Sequence, residues 1–207
     1  MSSLLTEALS LCNLAAVGIF GIVLSAAFCE IEWTRRHKLL LVGSTILMLA
    51  LQGVVSLRWG TGLARYLYPL ITHLPLWLLL AAMTRRALWP LVSVLTAYLC
   101  CQLRRWAALL VIALFPAGGT VLQDATELIV TLPILLVLIR WIAPSVRALS
   151  RSPLLLQLQF GMIPLLSYLF DYFTRIYTDL LSSGNQAAVE FMPFVCSLAY
   201  LGFVLHT

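Results

Sequence analysis

Leu39-Leu-Leu-Val-Gly-Ser-Thr-Ile-Leu-Met-Leu-Ala-Leu-Gln-Gly-Val-Val-Ser-Leu57 carries no charge. Its apolar residues run on without the period-2 alternation of a half-buried strand or a barrel strand. As a helix rising about 1.5 Å per residue it reaches about 28 Å, close to the ~30 Å hydrocarbon core of a bilayer. In lipid every backbone N–H and C=O must be bonded within the protein, so a continuous apolar run of this kind spans as a helix.

Seven further apolar runs lie around it, at about residues 9–28, 66–83, 88–103, 106–115, 128–146, 154–173 and 191–207. The expected fold is therefore all-α, a polytopic transmembrane bundle of seven or eight helices in one domain over residues 1–207. The count turns on the fourth and fifth runs, which Arg104-Arg105 separates. The fifth covers only about 15 Å, half the hydrocarbon core. Two short spans, a re-entrant hairpin, or one span plus an interfacial piece all fit. Pro69, Pro75, Pro133 and Pro164 fall inside runs and are expected to kink them.

Composition agrees with the membrane reading. Of 207 residues 62% are hydrophobic and 10% charged, whereas soluble domains carry about 25% charge. Too little charge remains to cover a water-facing surface, and the mean hydropathy is +1.00. The net charge of +5 comes from short clusters such as Arg35-Arg36, Arg85-Arg86 and Arg104-Arg105, not from an extended basic face, which argues against nucleic acid as a partner. The lipid bilayer is the expected environment. The N-terminus lacks the basic leader of a cleaved signal peptide, since Glu7 is its first charge, and is expected to stay as an anchor.

Orientation follows from lysine and arginine. Residues 117–127 have none, and 171–190 have Arg175 against Asp171, Asp179 and Glu190. Arg147 and Arg151 then mark a cytoplasmic turn, with the C-terminus cytoplasmic. The N-terminal side depends on the count. Eight spans put it inside and leave the basic loops at Arg36 and Arg86 outside. Seven put it outside and bring those loops in.

Polar residues at membrane depth are costly and each is a candidate site. His73, between Pro69 and Pro75, is the clearest: either a ligand contact, or a histidine bonded to a neighbouring helix with Thr72 or a freed carbonyl as partner. Asn13, Gln52, Gln102, Gln157 and Gln159 read as interhelical packing groups. Asp171, Arg175 and Asp179 recur every four residues and would form one charged stripe on a helix continuing outward. Tyr172 and Tyr177 flank that stripe, and Ser183-Gly-Asn185 ends it. Ligand contact and plain anchoring in the interfacial aromatic belt are both open here. Asp124 and Glu127, one helical turn apart beside Gly118-Gly119, read as a solvated outer loop, with a cation or proton site as the alternative.

Signatures of chemistry are missing. There is no HExxH, no GxSxG and no phosphate-cradling loop, and His37, His73 and His206 share no local motif. Cys12, Cys29, Cys100, Cys101 and Cys196 form no CxxC pair, so small packing residues are expected in place of a zinc site or disulfides. No metal or cofactor is expected.

Four stretches carry a family resemblance: Tyr68-Pro-Leu-Ile-Thr-His-Leu-Pro-Leu76, Tyr98-Leu-Cys-Cys-Gln-Leu103, Phe170-Asp-Tyr-Phe-Thr-Arg-Ile-Tyr-Thr-Asp179 and Ser183-Gly-Asn-Gln-Ala-Ala-Val-Glu-Phe-Met-Pro193. With them the chain resembles the N-terminal membrane region of bacterial GHKL-type (AgrC-like) sensor histidine kinases. The resemblance implies a sensor module in a bacterial plasma membrane, a homodimer, and an extracellular peptide or small-molecule signal. It implies that the parent protein is a two-component histidine kinase whose phospho-acceptor helices and ATP-binding domain are not in these residues. The chain alone is not expected to be an enzyme. The signal-contact candidates are His73, Asp171, Tyr172, Arg175, Tyr177, Asp179, Asn185 and Glu190. A small transporter or channel is the alternative. An intramembrane enzyme would need more convergent ionisable residues.

Overall fold

The computed structural model describes residues 2–115, 119–172, 196–197, 200–201 and 204. Among them every regular element is a helix: α1 (Ser2–Phe28), α2 (Arg35–Tyr68), a π-helical turn (Pro69–His73), α3 (Leu74–Thr84), α4 (Leu88–Leu114), α5 (Gly119–Val137), a second π-helical turn (Leu138–Ile142), α6 (Ala143–Leu149) and α7 (Leu154–Asp171). They make six helical segments long and apolar enough to cross a membrane: Ala8–Phe28, Arg35–Gly60, Gly62–Thr84, Leu88–Leu114, Val121–Leu149 and Leu154–Asp171.

The second and third spans are split at Gly60, whose φ of 88° and ψ of 160° lie outside helical space. A residue with a Cβ is strained there, so glycine makes the turn between the 39–57 and 66–83 runs. Gln52 closes the resulting hairpin, its Nε2 donating to the Ala64 carbonyl at 3.0 Å. Thr34 starts α2 by accepting from the His37 backbone N–H, a usual N-cap device. Both π-helical turns end two residues before a proline, at Pro75 and Pro144. A proline removes one ladder donor, and the wider turn re-registers the carbonyls around the gap.

The fourth and fifth apolar runs are one continuous helix of 27 residues, α4. Arg104-Arg105 does not end it. Arg104 is buried and bonded to neighbouring helices, which removes the reason for the chain to leave the membrane there. Eight runs thus become seven. Six are described, and the last, residues 191–207, lies mostly outside the described residues.

α4 is the hub, packed against α1, α3, α5 and α7. Its apolar face meets Phe20, Leu24 and Phe28 of α1, Val146 of α6 and Phe160 of α7 in one core. From the last run Tyr200, Leu201 and Val204 are buried in the same core. Ser197 Oγ donates to the Leu99 carbonyl at 3.1 Å, and the Tyr200 and Thr96 hydroxyls share a hydrogen bond of 3.2 Å. The outer surface is apolar instead of charged: Leu39, Leu47 and Ile129 are each 70–73% exposed. A soluble monomer rarely tolerates such a surface, and a lipid-facing one requires it.

Three connections meet at one end of the bundle. Arg86 Nη1 donates to the Ser150 carbonyl at 3.3 Å, Ser150 Oγ donates to Glu30, and the Arg151 Nε donates to Glu30 Oε1 at 2.9 Å. The α1–α2, α3–α4 and α6–α7 connections therefore share a face, and it is the basic one.

Candidate functional site

Away from that basic end, polar and ionisable side chains converge from five helices into two adjoining groups. The first is built around His73, at the end of the first π-helical turn. Its ring is met edge-on by Tyr68 at 4.9 Å between centroids, Tyr98 and Tyr168 at 5.4 Å each, and Tyr172 at 6.4 Å. Its Nδ1 shares a hydrogen bond of 2.9 Å with the Tyr168 hydroxyl. The tyrosines also contact one another: Tyr98 and Tyr168 at 4.9 Å, Tyr168 and Tyr172 at 4.6 Å. The Tyr98 hydroxyl donates to the Asp171 carboxylate. Asp171 is 5% exposed, so this is a buried carboxyl group held by an aromatic shell.

The second group centres on Arg104. Its Nη2 donates to Glu127 Oε2 at 3.0 Å and to Asn13 Oδ1 at 2.9 Å, and its Nη1 to the Thr131 hydroxyl at 2.9 Å. Asn13 Nδ2 bridges the two carboxylates, reaching Asp124 Oδ1 and Glu127 Oε2 at 2.9 Å each. These partners come from α1, α4 and α5, so the network ties three helices together. A lone charge at membrane depth costs about 2.5–3.5 kcal/mol even on the lowest scales, and pairing with hydrogen bonding offsets that. Tyr68 of the first group packs against α1, where a Cβ on Gly18 would lie 3.6 Å from its hydroxyl.

Depth can be counted along the helices. From the basic end, Tyr98 lies about 15 Å along α4, Arg104 about 24 Å, and Asp171 about 26 Å along α7. The polar groups thus occupy the middle and far half of the bundle, while the half nearer the basic loops is apolar around Phe28, Trp89, Val146 and Phe160.

Of the residues singled out from sequence, the structure brings His73, Asp171 and Tyr172 together. Arg175, Tyr177, Asp179, Asn185 and Glu190 lie outside the described residues, as does the stripe they were to form. His73 does bond a neighbouring helix, but its partner is Tyr168 on α7 and not Thr72. Asp124 and Glu127 are not a solvated loop: Glu127 is 6% exposed and faces Arg104. Sequence reasoning missed Tyr68, Tyr98 and Tyr168 as a shell, because each reads singly as an interfacial aromatic. The available signal was Tyr98 and Tyr168, which lie inside apolar runs and not at their ends.

Cys29, Cys100 and Cys101 are buried or half-buried. Burial pushes the Cys29 thiol up to about 12, so it stays protonated and inert. Among the described residues no three His, Cys, Asp or Glu side chains are placed to hold a metal ion. At the basic end the Arg151 guanidinium holds the Glu30 carboxyl below the usual carboxylate range. Set against known proteins, the chain matches no family model, no curated protein and no solved structure.

Proposed function

We propose that this chain is the signal-receiving membrane domain of a GHKL-type two-component histidine kinase in a bacterial plasma membrane. The basic end faces the cytoplasm, the N-terminus lies outside and the C-terminus inside. The observation that carries the reading is the placement of the ionisable groups. His73, Asp171, Arg104 and Glu127 lie far from the basic loops, where only an outside ligand has a short path to them. Seven runs also satisfy the positive-inside bias, because all three basic connections then fall on one side.

The ligand is an extracellular peptide or small molecule that meets the Tyr-His-Asp group. It acts by binding one packing of the helices better than another, since a ligand moves an equilibrium only by its differential affinity. α4 supplies the route inward. Tyr98 holds Asp171, while Thr96 and Leu99, two and one residues away, hold Tyr200 and Ser197 of the last run. A change in the grip on Asp171 is felt by the run that leads into the cytoplasm. The kinase partner and the homodimer come from the family resemblance. Residues 1–207 grafted onto an intact kinase module test the reading: output should change with culture supernatant and lose that change in Tyr98→Phe. A constant output sinks it.

One observation favours a second reading. The π-helical turns before Pro75 and Pro144 interrupt the α-helical ladder of two spans, and irregular helices near the midplane also mark transporters. Substrate flux into liposomes carrying the purified chain would decide for transport.

A further inference from the structure

At the basic end a cleft of about 530 Å³ opens between the end of α1, the α1–α2 connection, the second π-helical turn and α6. Its size is that of a small-molecule site. Ala27, Ile139, Ala143 and Ala148 give it an apolar lining, and Arg147, Arg151 and Glu30 give it charge. Ile139 sits about 15 Å deeper than the end of α6 at Leu149. The cleft therefore runs from the helix ends, at headgroup level, into the depth of the acyl chains. Trp33, half exposed, stands in its wall at the level where amphipathic rings anchor.

The charge is not balanced. Glu30 is taken up by Arg151 and Ser150. Arg147 uses its Nε on the Ala143 carbonyl of its own helix. Arg86 adds a further positive charge beside the cleft through its bond to Ser150. A free anion would use the arginines and leave the apolar lining wet. A neutral lipid would use the lining and leave the arginines idle. One ligand uses both.

We propose that this cleft is a binding site for an anionic phospholipid, with its phosphate on Arg147 and Arg151 and an acyl chain along Ala27 and Ile139. Guanidinium groups suit phosphate oxygens, and basic pockets between helices on the cytoplasmic side of membrane proteins hold anionic headgroups. The site shares with the functional reading only the assignment of the basic end to the cytoplasmic leaflet, and it needs no signal. Its second wall is the π-helical break of the fifth span, so a bound lipid would brace that break.

The test is lipid retention. The chain is reconstituted in nanodiscs of equal phosphatidylglycerol and phosphatidylcholine, extracted in mild detergent, and its bound lipids counted by native mass spectrometry. Wild type should keep phosphatidylglycerol over phosphatidylcholine by tenfold or more. Arg147→Gln with Arg151→Gln should bring the ratio near one. Ala148→Leu, which fills the lining at an exposed position without touching charge, should lower retention at least fivefold. Arg36→Gln, a basic-end control outside the cleft, should keep it. An unchanged ratio in the double arginine variant overturns the proposal. So does an equal loss in Arg36→Gln, which means general surface charge, or equal thermal stabilisation by inorganic phosphate alone, which means a free-anion site. If Ala148→Leu fails to fold, Arg147→Gln alone should still lower the ratio, and an unchanged ratio overturns the proposal.

Discussion

Arg104 on α4 and Glu127 on α5 pair at 3.0 Å with side chains only 5% and 8% exposed. The pair sits where the amino-acid sequence reads as a loop, and it explains why the loop is a helix. Removing one partner leaves the other charge buried, which typically costs about 3–5 kcal/mol. Arg104→Met and Glu127→Leu singly should each lower thermal stability in detergent by that order. The double variant should recover most of the loss. Additive losses would mean that the two side chains do not depend on each other.

His73 and Tyr168 make separable contributions. Tyr168→Phe removes the hydroxyl and keeps the ring, so about 1 kcal/mol is expected, in line with interhelical hydrogen bonds in membranes. His73→Ala empties the space between four rings and should cost about 2–5 kcal/mol, as large-to-small core changes do. Chemical or thermal unfolding in a fixed detergent compares them. Equal costs would show that the ring contacts add nothing to the hydrogen bond.

Two glycines should fail for different reasons. Gly60 has open space around a would-be Cβ but a φ of 88°, so Gly60→Ala should cost about 1–3 kcal/mol through the backbone alone. A Cβ on Gly161 would lie 2.8 Å from Val92 Cγ2. Val92 is stiff at χ1, so Gly161→Ala should destabilise by about 1–3 kcal/mol through overpacking, and Val92→Ala should relieve it. Rescue of Gly60→Ala by any packing change, or none for Gly161→Ala, would count against these assignments.

Acid should loosen the basic end first. The folded-state pKa of Glu30 is lowered by its hydrogen bonds and charge interaction with Arg151. A lowered carboxylate pKa contributes stability that is present above the unfolded value, about 4.3, and is lost as pH falls through the folded value. The midpoint of thermal unfolding should therefore drop with a steeper slope below about pH 4.3 in wild type than in Arg151→Gln. Both groups are largely solvent-exposed, so the difference should be small and should shrink further in high salt. Parallel curves would mean that the pair does not feel folding.

Single cysteines on a cysteine-free background should report sidedness. Positions 36 and 85 should react with an impermeant maleimide only in inverted vesicles, and position 60 only in intact cells. Reactivity of positions 36 and 60 from the same side would reverse the hairpin that Gly60 closes.

How far the fold was legible can be seen from α4. Its apolar residues announced a helix, but Arg104-Arg105 looked like its end. Whether an arginine at that depth is tolerated depends on Asn13, Glu127 and Thr131, which lie 91, 23 and 27 residues away in the chain. No local pattern carries that information. The same holds for Asp124 and Glu127, whose spacing of one helical turn says that they share a face but not that the face points inward. His73 stood out because a histidine between two prolines in an apolar run is costly without a partner. Tyr68, Tyr98 and Tyr168 did not, since each taken alone fits an interfacial anchor.

The amino-acid sequence by itself determined the solvent, the helical class and a break in the chain between the 39–57 and 66–83 runs. Apolar length, scarcity of charge and a residue free to take positive φ are local properties that lipid reads directly. Only the tertiary structure decided that Arg104 lies inside a helix, that His73, Tyr98, Tyr168 and Asp171 form one group, and that the three basic connections share a face. Those facts are distances between residues far apart in the chain, and they exist only once the helices pack.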